Sequence, residues 1–265
     1  INGKKLVFEY ISLFIKNKIM INLIKVADKI RRNTNFSEFY SRYFSGIFSP
    51  YLAAACVGTK ITPNHLTILM IPSGVFGSLL ILTTEPILCF LGSIFYIILN
   101  ILDAADGQLA RYINKPSPFG DYLDRVAHYI TNSAFVLSLG LYLFFVTDNI
   151  IYIYFMFFCE LCILGDEVIR DLLVACGVIS LKDSEPGTRK KEKSKTKLFA
   201  APLYKNIWKI FFSNIAIFHL TPILFLMIYL NHIFVNVLGI YFIIFSIVII
   251  LKMLLRLPKL RIYTQ

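Results

Sequence analysis

Asp103 and Asp106 stand three residues apart in the stretch Leu102-Asp103-Ala104-Ala105-Asp106-Gly107-Gln108-Leu109-Ala110-Arg111, at the end of an otherwise apolar run. Ionisable side chains inside an apolar helix are costly and by default mark a functional site. A three-residue spacing puts both carboxylates on one helix face. Gly107 falls on the same side, where the lack of a side chain lets a ligand approach the backbone, and Ala110 and Arg111 follow one turn later. After eight further residues comes Gly120-Asp121-Tyr122-Leu123-Asp124-Arg125-Val126-Ala127-His128, in which Asp124 and His128 are four apart and again share a face. Two helices joined by so short a turn are expected to be antiparallel neighbours whose polar faces meet. At a 1.5 Å rise per residue, Asp103 lies about 12–15 Å inside the end of its helix. Clustered carboxylates stay ionised only beside cations, and oxygen-rich donor sets suit Mg²⁺ or Mn²⁺.

The elements that position these residues are apolar and long. Of the 265 residues 57% are hydrophobic and 16% charged, and the mean hydropathy is +0.68. Soluble domains carry about 25% charged residues, so this composition excludes an ordinary soluble enzyme and a disordered chain. Six stretches reach the roughly 20 apolar residues that a spanning helix needs: Leu66–Thr84, Ile87–Arg111, Phe119–Val146, Ile150–Val178, Ile207–Leu230 and Ile233–Leu255. Short turns separate them, except for one long loop over Leu181–Lys205. The expected fold is therefore an all-α polytopic membrane protein with six transmembrane helices (64–265), preceded by an amphipathic interfacial segment (1–63). Within that segment Ser45–Val57 reads as a membrane-surface helix, and Thr62-Pro63 as the N-cap and first residue of the first span.

Charge sets the orientation. The 27 Lys and Arg outnumber the 16 Asp and Glu, for a net charge of +11. In a membrane protein this excess reflects basic residues gathered on the cytoplasmic side, where they meet anionic lipid, and needs no nucleic acid partner. With both termini, the 112–118 turn and the 181–205 loop in the cytoplasm, the three turns on the other side, Thr83–Pro86, Thr147–Asn149 and Asn231–His232, contain no Lys or Arg. The polar face that carries the four candidate ligands then opens to the cytoplasm.

The pattern Asp103-x-x-Asp106-Gly107-x-x-Ala110-Arg111, eight residues, Gly120-x-x-x-Asp124 resembles the signature of the CDP-alcohol phosphotransferases. The Thr62-Pro63-Asn64-x-Leu66-Thr67 segment, the six spans and the basic Lys193-Ser194-Lys195-Thr196 stretch also look like family features. The resemblance implies transfer of a phosphate-linked group from a cytidine-activated donor to an alcohol, with release of CMP. It also implies divalent ions, Mg²⁺ or Mn²⁺, held by Asp103, Asp106 and Asp124, and a cytidine diphosphate pocket formed by Gly107, Ala110, Arg111 and Gly120. The last family position departs from the pattern: His128 replaces an Asp that binds metal and is the base proposed to deprotonate the alcohol. Imidazole is expected to serve either role with one negative charge fewer, giving one tightly held ion and a second held weakly or not at all. Asp121 is an extra carboxylate near enough to compensate.

Donor and acceptor stay open between CDP-diacylglycerol with a polar alcohol, and a cytidine-activated head group with diacylglycerol; at least one is a lipid. The chain begins at Ile1, which leaves room for an upstream fused cytidylyltransferase domain. Relatives it resembles imply a homodimer. Arg170, Lys193 and Lys195 are further candidates for contact with substrate phosphate. Glu167 and Arg170 are equally suited to a structural ion pair, and Glu160 lies deeper in the same span. The competing readings are an inactive relative and a transporter or lipid-binding scaffold, which would release no CMP. Cys56, Cys89, Cys159, Cys162 and Cys176 read as packing residues, and His65, His219 and His232 as structural.

Overall fold

The computed structural model describes residues 20–34, 41–175 and 214–260. Every regular element among them is helical. Helix α1 covers residues 20–32. A single π-helical turn, Ser41–Ser45, leads into α2, Gly46–Cys56. The long helices are α3, Pro63–Ile81, α4, Pro86–Tyr112, α5, Pro118–Thr147, and α6, Ile151–Ala175, followed by α7, Asn214–Leu230, and α8, Phe234–Leu260. Residues 181–205, with Lys193 and Lys195, lie outside the described residues, as do Cys176, residues 1–19 and 35–40 of the N-terminal segment and the start of the fifth expected span.

The helix starts follow from local chemistry. Proline suits the first turn, because its ring pre-sets φ and the missing N–H would have no partner there. Pro63, Pro86 and Pro118 open three consecutive helices. Before Pro63, Thr62 is extended, and its backbone N–H donates to His65 Nδ1 at 3.1 Å. Ser117 caps α5 by accepting the Gly120 N–H at 3.0 Å. At the far end α5 stops where Asp148 turns left-handed, with φ 51°.

Among the described residues α3, α4, α5 and α8 are long and apolar enough to cross a bilayer, and α7 adds a shorter apolar stretch, Ile217–Leu230. Helix α6 has the length of a span but carries Glu160, Asp166, Glu167, Arg170 and Asp171. The molecule is an all-α polytopic membrane protein, and its helices fall on the six apolar stretches of the sequence.

The helices pack in a closed circuit: α3 against α4, α4 against α7, α7 against α8, α8 against α6, α6 against α5, and α5 back against α3. Helices α4 and α5 bring their polar faces together at Asp103 and His128, as expected. Their backbones approach one another only sparsely, and both instead pack on α3. Small residues let α3 take that place. A Cβ on Gly77 would lie 2.7 Å from the Gly92 carbonyl oxygen of α4, and one on Gly74 would lie 2.5 Å from Thr131 Cγ2 of α5. Tyr96 of α4 ties the three together. Its ring is fully buried against Phe135 and Phe218, while its hydroxyl lies 2.5 Å from Ser78 Oγ and donates to the Thr131 carbonyl at 3.1 Å.

A second, smaller core sits where α1 and α2 cover the end of α4, joining Ala27, Ile30, Ala53, Ala54, Leu66, Ala105 and Leu109. The opposite side of α1 exposes Lys25, Lys29, Arg31 and Arg32. Lys29 Nζ stands 5.5 Å from the Tyr112 ring centre, and Arg31 donates to the Ile47 carbonyl. The helix expected at Ser45–Val57 is α2, with Tyr51, Phe48 and Ile47 exposed and Ser49, Ala53 and Ala54 turned inward.

The Gly77–Gly92 contact is backbone on backbone, so no side chain fits between the helices. Gly77→Leu is expected to cost about 1–3 kcal/mol, as other overpacked cores do, and to lower the thermal midpoint of the detergent-solubilised protein. Gly165→Ala is the control, because its Cβ would meet only the end of the Met253 side chain. Equal midpoints for the two variants would refute the close α3–α4 contact.

Candidate active site

The sparse contact between α4 and α5 leaves room at one end of the bundle for long polar side chains. Asp103 of α4 and Asp124 and His128 of α5 fill it. His128 Nε2 lies 3.2 Å from Asp103 Oδ1 and 3.5 Å from Asp124 Oδ1. One ligand atom from each of the three residues falls within 4.8 Å of the other two. The side chains are 36%, 41% and 32% exposed for Asp103, Asp124 and His128, so the cluster is half-buried and reachable from the bundle end. Asp124 Oδ1 is itself shut off from solvent and accepts no hydrogen bond among the described residues.

Asp106 is one turn beyond Asp103 but stands apart from this group. It is buried, and Thr67 of α3 donates to its Oδ2 at 2.5 Å. Thr67 is the site residue that sequence reasoning left without a role. Its signal was a hydroxyl one turn into an apolar helix, and only the fold supplies its partner 39 residues away.

The four pocket residues inferred from the motif line the same end. A Cβ on Gly107 would lie 3.2 Å from a terminal nitrogen of Arg111, so the missing side chain makes room for the exposed guanidinium of its own helix to fold back. The open backbone expected at Gly107 is thus occupied by Arg111. The space at Gly120 is bounded by Asn64 Oδ1 and Ser117 Oγ, each 3.1 Å from a Cβ built there. This close approach brings the N-terminal turns of α3 and α5 together beside the C-terminal turns of α4. Ala110 is half-buried, and Asp121 is exposed in the first turn of α5, where a negative charge complements the helix dipole.

Helix α6 contributes polar partners to α5. Arg125 pairs with Asp171 Oδ1, and the Tyr129 hydroxyl donates to Asp171 Oδ2. One turn deeper, Asn132 Nδ2 donates to Glu167 Oε1 at 3.2 Å. Sequence reasoning set Glu167 against Arg170 and overlooked Arg125 and Asn132, because a single helix shows only its own neighbours. The Arg170 side chain lies outside the described residues. The Glu160 carboxylate is enclosed within the protein, deeper in α6.

The donor set suits a divalent ion. Two carboxylate oxygens and one imidazole nitrogen converge, and ligands at right angles around an ion with bonds of about 2.1 Å lie about 3 Å apart. The 3.2 and 3.5 Å separations are close to that spacing. Asp103, Asp124 and His128 thus form a group that could hold a metal ion, and Asp106 is not one of its members.

The family model for CDP-alcohol phosphatidyltransferase matches residues 60–235, a range that contains every residue of this cluster. The bifunctional IPC transferase and DIPP synthase of Aquifex aeolicus is 33% identical over 121 residues, covering 46% of this chain and 26% of that protein. The protein of the same name from Thermococcus kodakarensis is 30% identical over 102 residues, 38% of this chain and 22% of its own length. The inner membrane protein YnbA of Escherichia coli is 32% identical over 102 residues, 38% of this chain and 49% of that protein. The chain therefore spans about a quarter of the length of the bifunctional relatives it matches. Since the family match takes in most of the chain and the helices that build the Asp103–Asp124–His128 cluster, this protein belongs to the CDP-alcohol phosphatidyltransferase family.

Proposed function

We propose that the protein transfers a phosphate- or phosphonate-linked group from a cytidine-activated donor to an alcohol and releases CMP. The observation that carries this reading is the convergence of Asp103, Asp124 and His128 at the open end of the bundle. In the reaction the bond between the transferred phosphorus and the oxygen of CMP breaks, a bond forms from the alcohol oxygen to that phosphorus, and the alcohol's proton is released to the water at the open end of the bundle. A bound divalent ion would neutralise charge on the phosphates and polarise the reacting phosphorus.

Asp103, Asp124 and His128 are the proposed ligands, and Asp106, its Oδ2 fixed by Thr67, supplies the fourth group. Arg111, folded over Gly107, is placed to meet a donor phosphate at the mouth, with Ala110 and Gly120 forming the pocket wall. Of the two roles expected for His128, ligand and proton acceptor, the geometry favours the ligand. A lone pair that binds an ion cannot also take a proton, and phosphoryl transfer rests mainly on positioning and charge neutralisation. Asp121 is exposed and pairs more naturally with the helix dipole than with an ion.

The half-buried site at the end of an apolar bundle supports a substrate pair in which at least one member is a lipid, anchored in the bilayer beside it. The basic surface of α1 and the absence of Lys and Arg from the 83–86, 147–149 and 231–232 turns support a cytoplasmic site. A homodimer through the exposed apolar helix faces and a cytidylyltransferase activity that supplies the donor complete the proposal.

The test is CMP release by the detergent-purified protein across cytidine-activated donors crossed with alcohol acceptors, with Mg²⁺ or Mn²⁺. Chelation is expected to abolish release, and Asp106→Asn to reduce it about 100-fold or more. Release that survives both would sink the metal-dependent mechanism, and silence across a panel whose donors still bind would favour the inactive or transport reading. Thr67→Val keeps the shape of the side chain but removes the donor to Asp106. It is expected to weaken divalent-ion binding by about 10–100-fold, as loss of a group that orients a ligand does, while Thr67→Ser restores it. Titration of bound Mn²⁺ measures both, and equal affinity in all three proteins would show that Asp106 needs no such support.

A further inference from the structure

The nitrogen in the ligand set separates this cluster from an all-carboxylate one and bears on which ion it holds. A neutral imidazole in place of a carboxylate lowers the Coulomb attraction for every dication equally. It returns donor strength only to ions that form partly covalent bonds to nitrogen. Carboxylate, carbonyl and water suit Mg²⁺ and Mn²⁺ alike, whereas an imidazole nitrogen is a donor for the first-row transition metals, of which Mn²⁺ binds least strongly. Mg²⁺ also sheds its water reluctantly and is usually held by one or two carboxylates.

The geometry makes that nitrogen available. Nε2 of His128 is the ring atom turned to both carboxylates, 3.2 Å from Asp103 Oδ1 and 3.5 Å from Asp124 Oδ1. Its position is fixed from two helices, since Asp124 is one turn back on α5 and Asp103 comes from α4. The remaining carboxylate is restrained, because Asp106 is buried and already accepts the Thr67 hydroxyl at 2.5 Å. The three half-exposed side chains therefore set the preference. We propose that the Asp103–Asp124–His128 set selects a first-row transition-metal ion, such as Mn²⁺, over Mg²⁺, and that His128 is the residue that determines this selection. The inference rests on His128 acting as a ligand in the function proposed above.

The experiment uses the detergent-purified full chain and Mn²⁺ as the probe. Electron paramagnetic resonance counts free Mn²⁺ and so gives its affinity, and competition with Mg²⁺ gives the ratio of the two. Pulsed measurements on the bound ion report whether a nitrogen is directly attached. In the wild type, coupling to one imidazole nitrogen is expected, together with a preference for Mn²⁺. In His128→Asp, which keeps a ligand at the position and is checked for helix content and elution volume, the nitrogen coupling should vanish. The Mn²⁺ to Mg²⁺ affinity ratio should also fall at least about tenfold. Bound Mn²⁺ without nitrogen coupling in the wild type, or a ratio unchanged in His128→Asp, overturns the selection while leaving CMP release and the transferase reading intact. If the wild type binds no Mn²⁺ and releases no CMP from any donor, the proposed function fails and the inference fails with it.

Discussion

A carboxylate inside an apolar bundle must find a hydrogen-bond donor or a counter-charge, or the segment that carries it is forced toward water. Three carboxylates on α4 and α6 have this demand met by neighbouring helices. Asp106 takes the Thr67 hydroxyl from α3, Asp171 is matched by Arg125 and Tyr129 of α5, and Glu167 accepts from Asn132. Asp103 and Asp124 differ in sharing one imidazole, that of His128, between them. One ring nitrogen therefore faces two carboxylate oxygens, 3.2 and 3.5 Å away. That sharing of one ring nitrogen by two carboxylates, at the open end of the bundle, sets the cluster apart from the polar contacts beside it.

The space for this cluster exists because α4 and α5 do not pack closely on one another. Each leans on α3 instead, and α3 is fit for the purpose because Gly74 and Gly77 bring its backbone within reach of both. Tyr96 then fixes the spread, with its ring among Phe135 and Phe218 and its hydroxyl joined to α3 and α5.

What was legible in the sequence is what depends on short range. Helical periodicity alone places Asp103 beside Asp106 and Asp124 beside His128, and the prolines at 63, 86 and 118 mark three helix starts. Where the described residues cover both ends, as in α3, α4 and α5, the apolar runs give the spans to within a few residues. Pairings across helices were not legible: Thr67 with Asp106, Arg125 with Asp171 and Asn132 with Glu167 join residues 35 to 46 apart, and nothing local fixes which faces meet. The wedge formed by α3 was missed for the same reason. A short turn between α4 and α5 constrains their direction, whereas the packing of glycines on a third helix decides their distance. Gly107 illustrates the limit within one helix. Its spacing indicated an open backbone, but whether Arg111 folds back over it depends on a rotamer.

The scaffold also acts on the site at a distance. Gly92, where α4 touches α3 backbone to backbone, is eleven residues from Asp103, which along a helix is about 16 Å. A straight helix pivoting there by about four degrees moves Asp103 by about 1 Å, and misplacement on that scale can cost about 100-fold in a reaction that depends on positioning. The tight, side-chain-free contact near the middle of the bundle is therefore part of how the ligands are held. His128 is held by a shorter lever, because Thr131, within one turn of it on α5, packs directly against Gly74. Two independent anchors, one per motif helix and both on α3, set the separation between Asp103 and His128. Helix α3 thus governs the geometry of the site twice, through the hydroxyl of Thr67 and through the spacing of the helices on either side of it.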